Sequence, residues 1–352
     1  MGMLSTIVQK LRSGRKVVLL HGNADPDALG SAYALYRAFP EVTVAALGGL
    51  DRLAKVMAIN LEFEVQSSVD LDDYDIVVAV DSSSMRRQLE KALQRYQGEG
   101  MVKIYTSGSF LDPNEVPLDL RSEILSSFDG AKRILFESRP EFITNENLED
   151  IDPRSALAIG LETSNEEVLR KCVRKGFTVK DYTRAAEVLL DLKLPLRTYL
   201  LLKPPYLTER AAVQDAIASV HYTTPYSESV SVNPVNVQRD TVVDALWRRG
   251  NYRPPWLWSL VEVLRQGRAG TSVRIMSSPS GGGTARGVHN CDHCDRKILD
   301  AVQRFSFSQD PDDLGGLGCG CREEWAATMD LQDTMGTAVD VTRYLGDELE
   351  FD

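Results

Sequence analysis

The stretch "ALAIGLETSNEEVLRKCVRKGFTVKDYTRAAEVLLDLKLPLRTYLLL", residues 156–202, sets two short apolar runs around a long segment of helical spacing. "ALAIGLE" (156–162) and "LPLRTYLLL" (194–202) are short and bounded by polar or proline punctuation, and read as buried strands. Between them, "NEEVLRKCVRKG" (165–176) and "VKDYTRAAEVLLDL" (179–192) repeat apolar residues three and four apart, as helices do. A strand, a helical crossover and a second strand form a parallel βαβ unit, so this stretch predicts an α/β fold with a parallel sheet.

The same alternation extends outward. "MVKIYTS" (101–107) and "AKRILFES" (131–138) precede the unit and "SESVSVNPV" (227–235) follows it, giving five expected strands between about residues 85 and 265. The helices "MRRQLEKALQRYQ" and "DLRSEILSSF" fall before and between the first two. Repeated βα units suit a partial (β/α) barrel, whose working loops lie at the strand C-termini. The polar segments "TSGSF", "ESRP", "ETSNE", "KPP" and "NPVNVQ" all sit there. "SSPSGGGTARG" (277–287) reads as a flexible loop.

Residues 1–84 carry a second alternation, with strands "KVVLL" (16–20), "EVTVAAL" (41–47) and "DIVVAVD" (75–81) and the helix "DALGSAYALYRAF". The expected fold class is therefore α/β: a parallel, doubly wound N-terminal half-domain (1–84), a partial barrel (85–268) and a small C-terminal cysteine-rich segment (269–352).

The 352-residue chain is 43% hydrophobic and 26% charged, ordinary values for a globular protein with a sizeable core. No apolar run approaches the ~18 residues of a membrane span, and the N-terminus lacks a signal-peptide pattern, so a cytoplasmic location with no membrane partner is expected. A net charge of −11 argues against a generally basic nucleic-acid-binding surface. The richest basic stretches are "RKCVRKGFTVK" (170–180) and "LWRRGNYRPPWLW" (246–258). The second interleaves aromatics that suit either base stacking or a buried helix boundary, the latter being the expectation.

Four of the five cysteines crowd into residues 291–321. Cys291 and Cys294 form C-x2-C, and Cys319 with Cys321 forms a second close pair, a pattern for a structural tetrahedral Zn²⁺. His289 and His293 are alternative ligands. Cys172 stands alone on a predicted helix and reads as a buried thiol.

In "HGNADPDALGSAYAL" (21–35), His21, Asp25 and Asp27 cluster between a strand and a helix. Such groups suit Mn²⁺ or Mg²⁺, and equally a turn histidine with helix-capping aspartates. "HGNADPDALGS" resembles the first motif of the DHH phosphoesterase family, and "YDIVVAVDSSS" (74–84) its second. The resemblance implies His21, Asp25, Asp27 and Asp81 as Mn²⁺ ligands and a nucleotide or oligonucleotide as substrate. The Asp-His-His motif that names the family is absent from the sequence.

From about residue 86, "QLEKALQRYQGEGMVKIYTSGSFLDPNEVP", "FESRPEFIT", "LAIGLETSNEEVLRKCVRKGFTVKDY", "LLLKPPYLTERAAVQDAI", "SVNPVNVQ" and "HNCDHCDRKILDAVQRFSFSQD" together resemble the radical SAM family of archaeosine biosynthesis, RaSEA. The resemblance implies a radical-SAM-type barrel, S-adenosylmethionine (SAM) and a [4Fe–4S] cluster as cofactors. It also implies tRNA and the lyase ArcS as partners, in converting a lysine-adduct base at tRNA position 15 to archaeosine. Thr106, Ser107 and Gly108 match the segment that meets the SAM amino group, and Glu162 the position that meets its ribose. Glu137 and Arg139 are expected to pair with each other or to line the site, and Lys203 to contact substrate or lie in solvent.

The C-x3-C-x2-C that would hold the cluster is missing, since no cysteine precedes Cys172. The expected function is thus a RaSEA-like protein whose catalytic step is absent or impaired. A phosphoesterase, and a non-catalytic module that binds tRNA or a partner, stand as alternatives.

Overall fold

The structure, a computed structural model, describes residues 14–20, 24, 26–47, 49–79, 85–105, 108–149 and 151–334. Among these no helix is long and apolar enough to cross a membrane. The chain divides into two compact units, residues 1–100 with 108–131, and residues 101–107 with 132–352. This grouping is by contact. The boundaries expected from the sequence lie at 84/85 and 268/269.

The first unit is built on β1 (Lys16–Leu20), β2 (Val42–Ala46) and β3 (Ile76–Ala79), parallel and in the order β2-β1-β3. Lys16 pairs with Val42 on one side and with Ile76 on the other, so β1 is the central strand. Helices α1 (Pro26–Ala38) and α2 (Arg52–Asn60) close the core through Leu29, Ala32 and Ala54, packed with Val18, Leu20 and Val44. Pro26 opens α1, where its missing N–H costs nothing. Asp51 caps α2 by accepting from the Ala54 amide at 2.6 Å. Two further helices, α3 (Met85–Leu93) and α4 (Leu118–Ser126), belong to this unit, and Arg86 of α3 pairs with Asp119 and Glu123 of α4.

The second unit is a six-stranded parallel sheet of β4 (Met101–Ile104), β5 (Arg133–Glu137), β6 (Ser155–Glu162), β7 (Leu196–Leu202), β8 (Ser229–Pro234) and β9 (Arg274–Met276). The strands lie side by side in chain order. Right-handed crossovers repeated without reversal curl such a sheet into a half-barrel. On β7 Leu196, Thr198, Leu200 and Leu202 are buried, while Arg197, Tyr199 and Leu201 between them are half-buried. Crossover helices α5 (Val179–Asp191) and α6 (Glu209–Thr223) start on hydroxyl caps: Thr178 forms a capping box with Asp181, and Thr208 accepts from the Ala211 amide. Helices α7 (Val242–Arg248), α8 (Leu257–Arg268), α9 (Asp295–Ser308) and α10 (Cys321–Thr334) follow.

All five expected strands of this region form, and β9 is a sixth. Its three residues are too few to show a period, and glycines precede it. The expected helix at 165–176 is a single α turn, Glu166–Val168, running into a π-helical turn, Leu169–Val173, that ends at Arg174 in the left-handed region.

The loop at 277–287 is not a flexible linker. The Gly283 amide donates to Val288 O, the Val237 amide to Arg286 O, and Arg286 forms an ion pair with Asp244 at 2.8 Å. Its glycines serve close approach: a Cβ on Gly287 would lie 2.0 Å from Gly281 O. Gly287→Ala is therefore expected to destabilise the protein by about 2 kcal/mol, read as a lowered denaturant midpoint with an unchanged slope. An unchanged midpoint would show that the loop yields.

Candidate functional site

The concave face of the half-barrel encloses a cavity of about 1030 Å³, lined among others by Lys103, Tyr105, Glu137, Arg197, Tyr199 and Arg274. Beside it Leu135, Ala156 and Ala158 form a small buried cluster against which Tyr199 packs. The strand register sets the lining in rows. Arg197 pairs with Ser229 and Ser229 with Arg274, and the next inward row is Tyr199, Ser231 and Met276. Burial raises the Glu137 carboxyl above its ordinary pKa, opposed by a hydrogen bond from Tyr199 and by the charge of Lys175.

Glu137 therefore lines the cavity and does not pair with Arg139, which bonds to Glu141 and to Lys175 O. Glu162 ends β6 at a bulge, with φ +72°, and its carboxylate meets Lys175 Nζ at 2.5 Å. Gly160 leaves room for that pair, because a Cβ there would lie 2.6 Å from the Glu162 carboxylate. Lys203 is neither in solvent nor free for a substrate. It is buried, at φ +63°, in an ion pair with Glu209 at 2.7 Å. A lysine after an apolar run reads as a projecting charge from sequence. Its partner lies six residues on, in the first turn of a helix, and only the folded chain brings the two together.

Thr106 and Ser107 lie outside the described residues, as do His21, Asp25 and Asp81. Gly108 belongs to the first unit, whereas Glu162 belongs to the second. A Cβ on Gly108 would fall 1.9 Å from the Glu115 carboxylate, which accepts from the Ser109 amide at 2.6 Å. Asp27 is exposed in the first turn of α1.

The four clustered cysteines converge. Cys291 Sγ lies 3.5 Å from Cys294 and 3.7 Å from Cys319, and Cys294 lies 3.6 Å from Cys321. All four sulphurs fall within 4.8 Å of one another. A tetrahedral ion with Zn–S bonds of about 2.3 Å requires edges of roughly 3.8 Å, so the donor set fits one metal ion. Neither histidine is needed, and His289 Nδ1 instead bonds to Gly287 O. The Trp258 indole donates to Cys321 Sγ at 3.3 Å, and the Asn290 amide to Cys294 Sγ at 3.6 Å. Such outer donors orient ligands and stabilise thiolates. Trp258 is thus a support for the cysteine group, and Trp256 packs under the Arg253 guanidinium at 3.9 Å. The basic-aromatic stretch that contains both is an interior boundary at these positions.

Asp215 was not singled out from sequence. It lies on α6, where Oδ1 accepts from Thr163 at 2.8 Å and Oδ2 is buried without a hydrogen-bond partner. Burial pushes its carboxyl up to about 6. Burial first, then the charge of Asp215, push the Cys172 thiol up to about 11, so Cys172 is an inert thiol as its setting in the sequence suggests.

The class these features define is an α/β protein with a half-barrel parallel sheet and a four-cysteine group able to hold a metal ion. No protein-family model matches the sequence. The chain is 42% identical over 264 residues to "Archaeosine synthase subunit beta" of Methanosarcina acetivorans, covering 72% of this chain and 76% of that one. The protein of the same name from Thermococcus kodakarensis is 40% identical over 250 residues, covering 67% and 77%. Among solved structures, the Methanocaldococcus infernus Elp3 with an N-terminal deletion shares 13% identity at a TM-score of 0.42, over 83% of this chain and 64% of that one. The chain belongs to the archaeosine synthase subunit beta family.

Two outcomes follow from the site. Chelation of metal, or Cys294→Ser, is expected to lower the melting temperature, because a tetrahedral ion staples a segment with little core of its own. A melt unmoved by chelator would show that the four thiols need no ion. For Asp215, the folded pKa stands above the unfolded 3.8, so folding favours the neutral acid. Its contribution is full below the unfolded pKa and is lost as pH rises through about 6. Between these limits the wild type should lose up to about 3 kcal/mol relative to Asp215→Asn in denaturant melts. Parallel profiles for the two proteins would refute this.

Proposed function

We propose that this chain acts in archaeosine tRNA modification as a RaSEA-like subunit. It works beside an ArcS-like lyase on the lysine-adduct base at tRNA position 15, with a Zn²⁺ at Cys291, Cys294, Cys319 and Cys321 holding its C-terminal segment. The observation that carries this reading is the 42% identity spanning 76% of the curated relative. SAM contact through Thr106, Ser107, Gly108 and Glu162 belongs to the same reading.

The residues present do not fit a radical SAM cluster. The five cysteines are Cys172 and the four that already converge on one another. A four-iron cluster interposes its own sulphides and holds its cysteine sulphurs farther apart than these stand. This chain therefore supplies substrate and partner binding, and any radical step needs cluster ligands from elsewhere.

The test combines the chain with the lyase and with tRNA bearing the lysine adduct, and follows complex formation and nucleoside composition. Binding of tRNA and lyase without SAM cleavage is the expected result. Absence of both interactions would sink the reading. Production of 5′-deoxyadenosine by the chain alone would overturn the loss of chemistry, and Mn²⁺-dependent hydrolysis of a dinucleotide would assign the N-terminal unit to phosphoester chemistry instead.

A further inference from the structure

The groove inside the half-barrel is basic in a chain of net charge −11. Lys103, Arg197 and Arg274 line it, and none has a carboxylate partner among the described residues. Glu137 is the one acidic side chain in its lining. Several buried or half-buried cations elsewhere in this unit do meet carboxylates, as in the pairs Lys175–Glu162, Lys203–Glu209 and Arg286–Asp244. Three uncompensated cations facing one cavity are a cost to the fold unless an anion joins them.

The two arginines are also positioned. Arg197, Ser229 and Arg274 form one register row across β7, β8 and β9, so the guanidinium groups spring from strands either side of a small hydroxyl residue. Arg197 Nε donates to Ser229 Oγ at 3.1 Å, and one Arg274 nitrogen donates to Ser306 O and Phe307 O at the C-terminal end of α9. Those bonds fix each side chain and leave its other N–H groups for a ligand. Planar forks held in this way recognise carboxylate and phosphate oxygens with two bonds each. Aromatic surface lies in the same lining: Tyr105 is exposed, and Phe307 is 75% exposed, unusual for a phenylalanine.

We propose that Arg197 and Arg274, held either side of Ser229, with Lys103 on the opposite edge strand, bind an oxyanion of a small ligand whose flat body rests on Tyr105 and Phe307. A nucleotide phosphate is the expected source, and a carboxylate is the other source with the same chemistry. The inference rests on the proposed function only in taking the groove as the substrate's site.

The experiment titrates the full chain with inorganic phosphate and with succinate at low ionic strength, by calorimetry. Saturable binding is expected, with phosphate the tighter probe, and Arg197→Gln and Arg274→Gln should each weaken it about tenfold. Tighter succinate would assign the row to a carboxylate. No saturable binding of either probe, or undiminished binding in the double variant, would overturn the proposal. Should Arg197→Gln fail to fold, Lys103→Glu reverses an exposed charge in the same groove, and unchanged phosphate affinity in that variant would also overturn it. A chain that binds phosphate through this row but binds no tRNA keeps the row and loses the functional reading. Binding of tRNA with no loss in the arginine variants does the reverse.

Discussion

The half-barrel unit depends on one buried carboxylate. Glu209 is fully buried in the first turn of α6, where the helix dipole and free amides favour negative charge. It accepts from Lys203 Nζ at the end of β7, from the Trp256 amide just before α8 and from Ser259 Oγ within α8. Its own amide donates to Gln332 of α10, and the Trp325 indole of α10 donates to Ser259. The end of β7, α6 and the start of α8 thus share one charge, and α10 joins them through the Glu209 amide and Ser259. A buried ion pair stabilises only when its remaining lone pairs and protons are satisfied, and here the carboxylate is fully engaged. Removing the carboxylate would strand Lys203 in the interior, the costly half of that asymmetry.

The same contacts explain why the C-terminal cysteines assemble where they do. Helix α8 carries Trp258, whose indole reaches Cys321, and Ser259, which reaches Glu209. Successive residues of one helix therefore tie the four-cysteine group and, through Glu209, the strand-end lysine to one rigid support. The Tyr252 hydroxyl, donating to Lys203 O at 2.8 Å, adds a third tie to the left-handed turn. The cysteine cluster is thereby tied to the half-barrel scaffold through α8.

What was legible in the sequence follows the range of the interactions. Strands β1 to β8 were readable because each is a short, mostly apolar run set between polar segments, and the C-x2-C and C-x-C pairs were readable because close spacing brings thiols together. β9 was hidden by its length. Lys203 was misread because its environment is set by residues 209 and 252, which no local pattern connects to it. The loop at 277–287 was misread for the opposite reason: its glycines are present for backbone crowding at Gly281 and Gly287, a use of glycine that composition cannot tell from flexibility. The cavity-lining arginines were overlooked because Arg197 and Arg274 become neighbours only through strand register.

The distribution of charge in the half-barrel unit separates scaffold from site. Ion pairs at Glu162, Glu209 and Asp244 sit at strand ends and helix starts, where each cation meets a carboxylate placed by a cap or a bulge. The inner face departs from that rule. Its two arginines are held by hydroxyl and carbonyl groups, which orient a guanidinium without cancelling its charge. A fold under selection for stability alone gains nothing from uncancelled charge facing a cavity. The inner face therefore has the character of a surface kept open for a ligand.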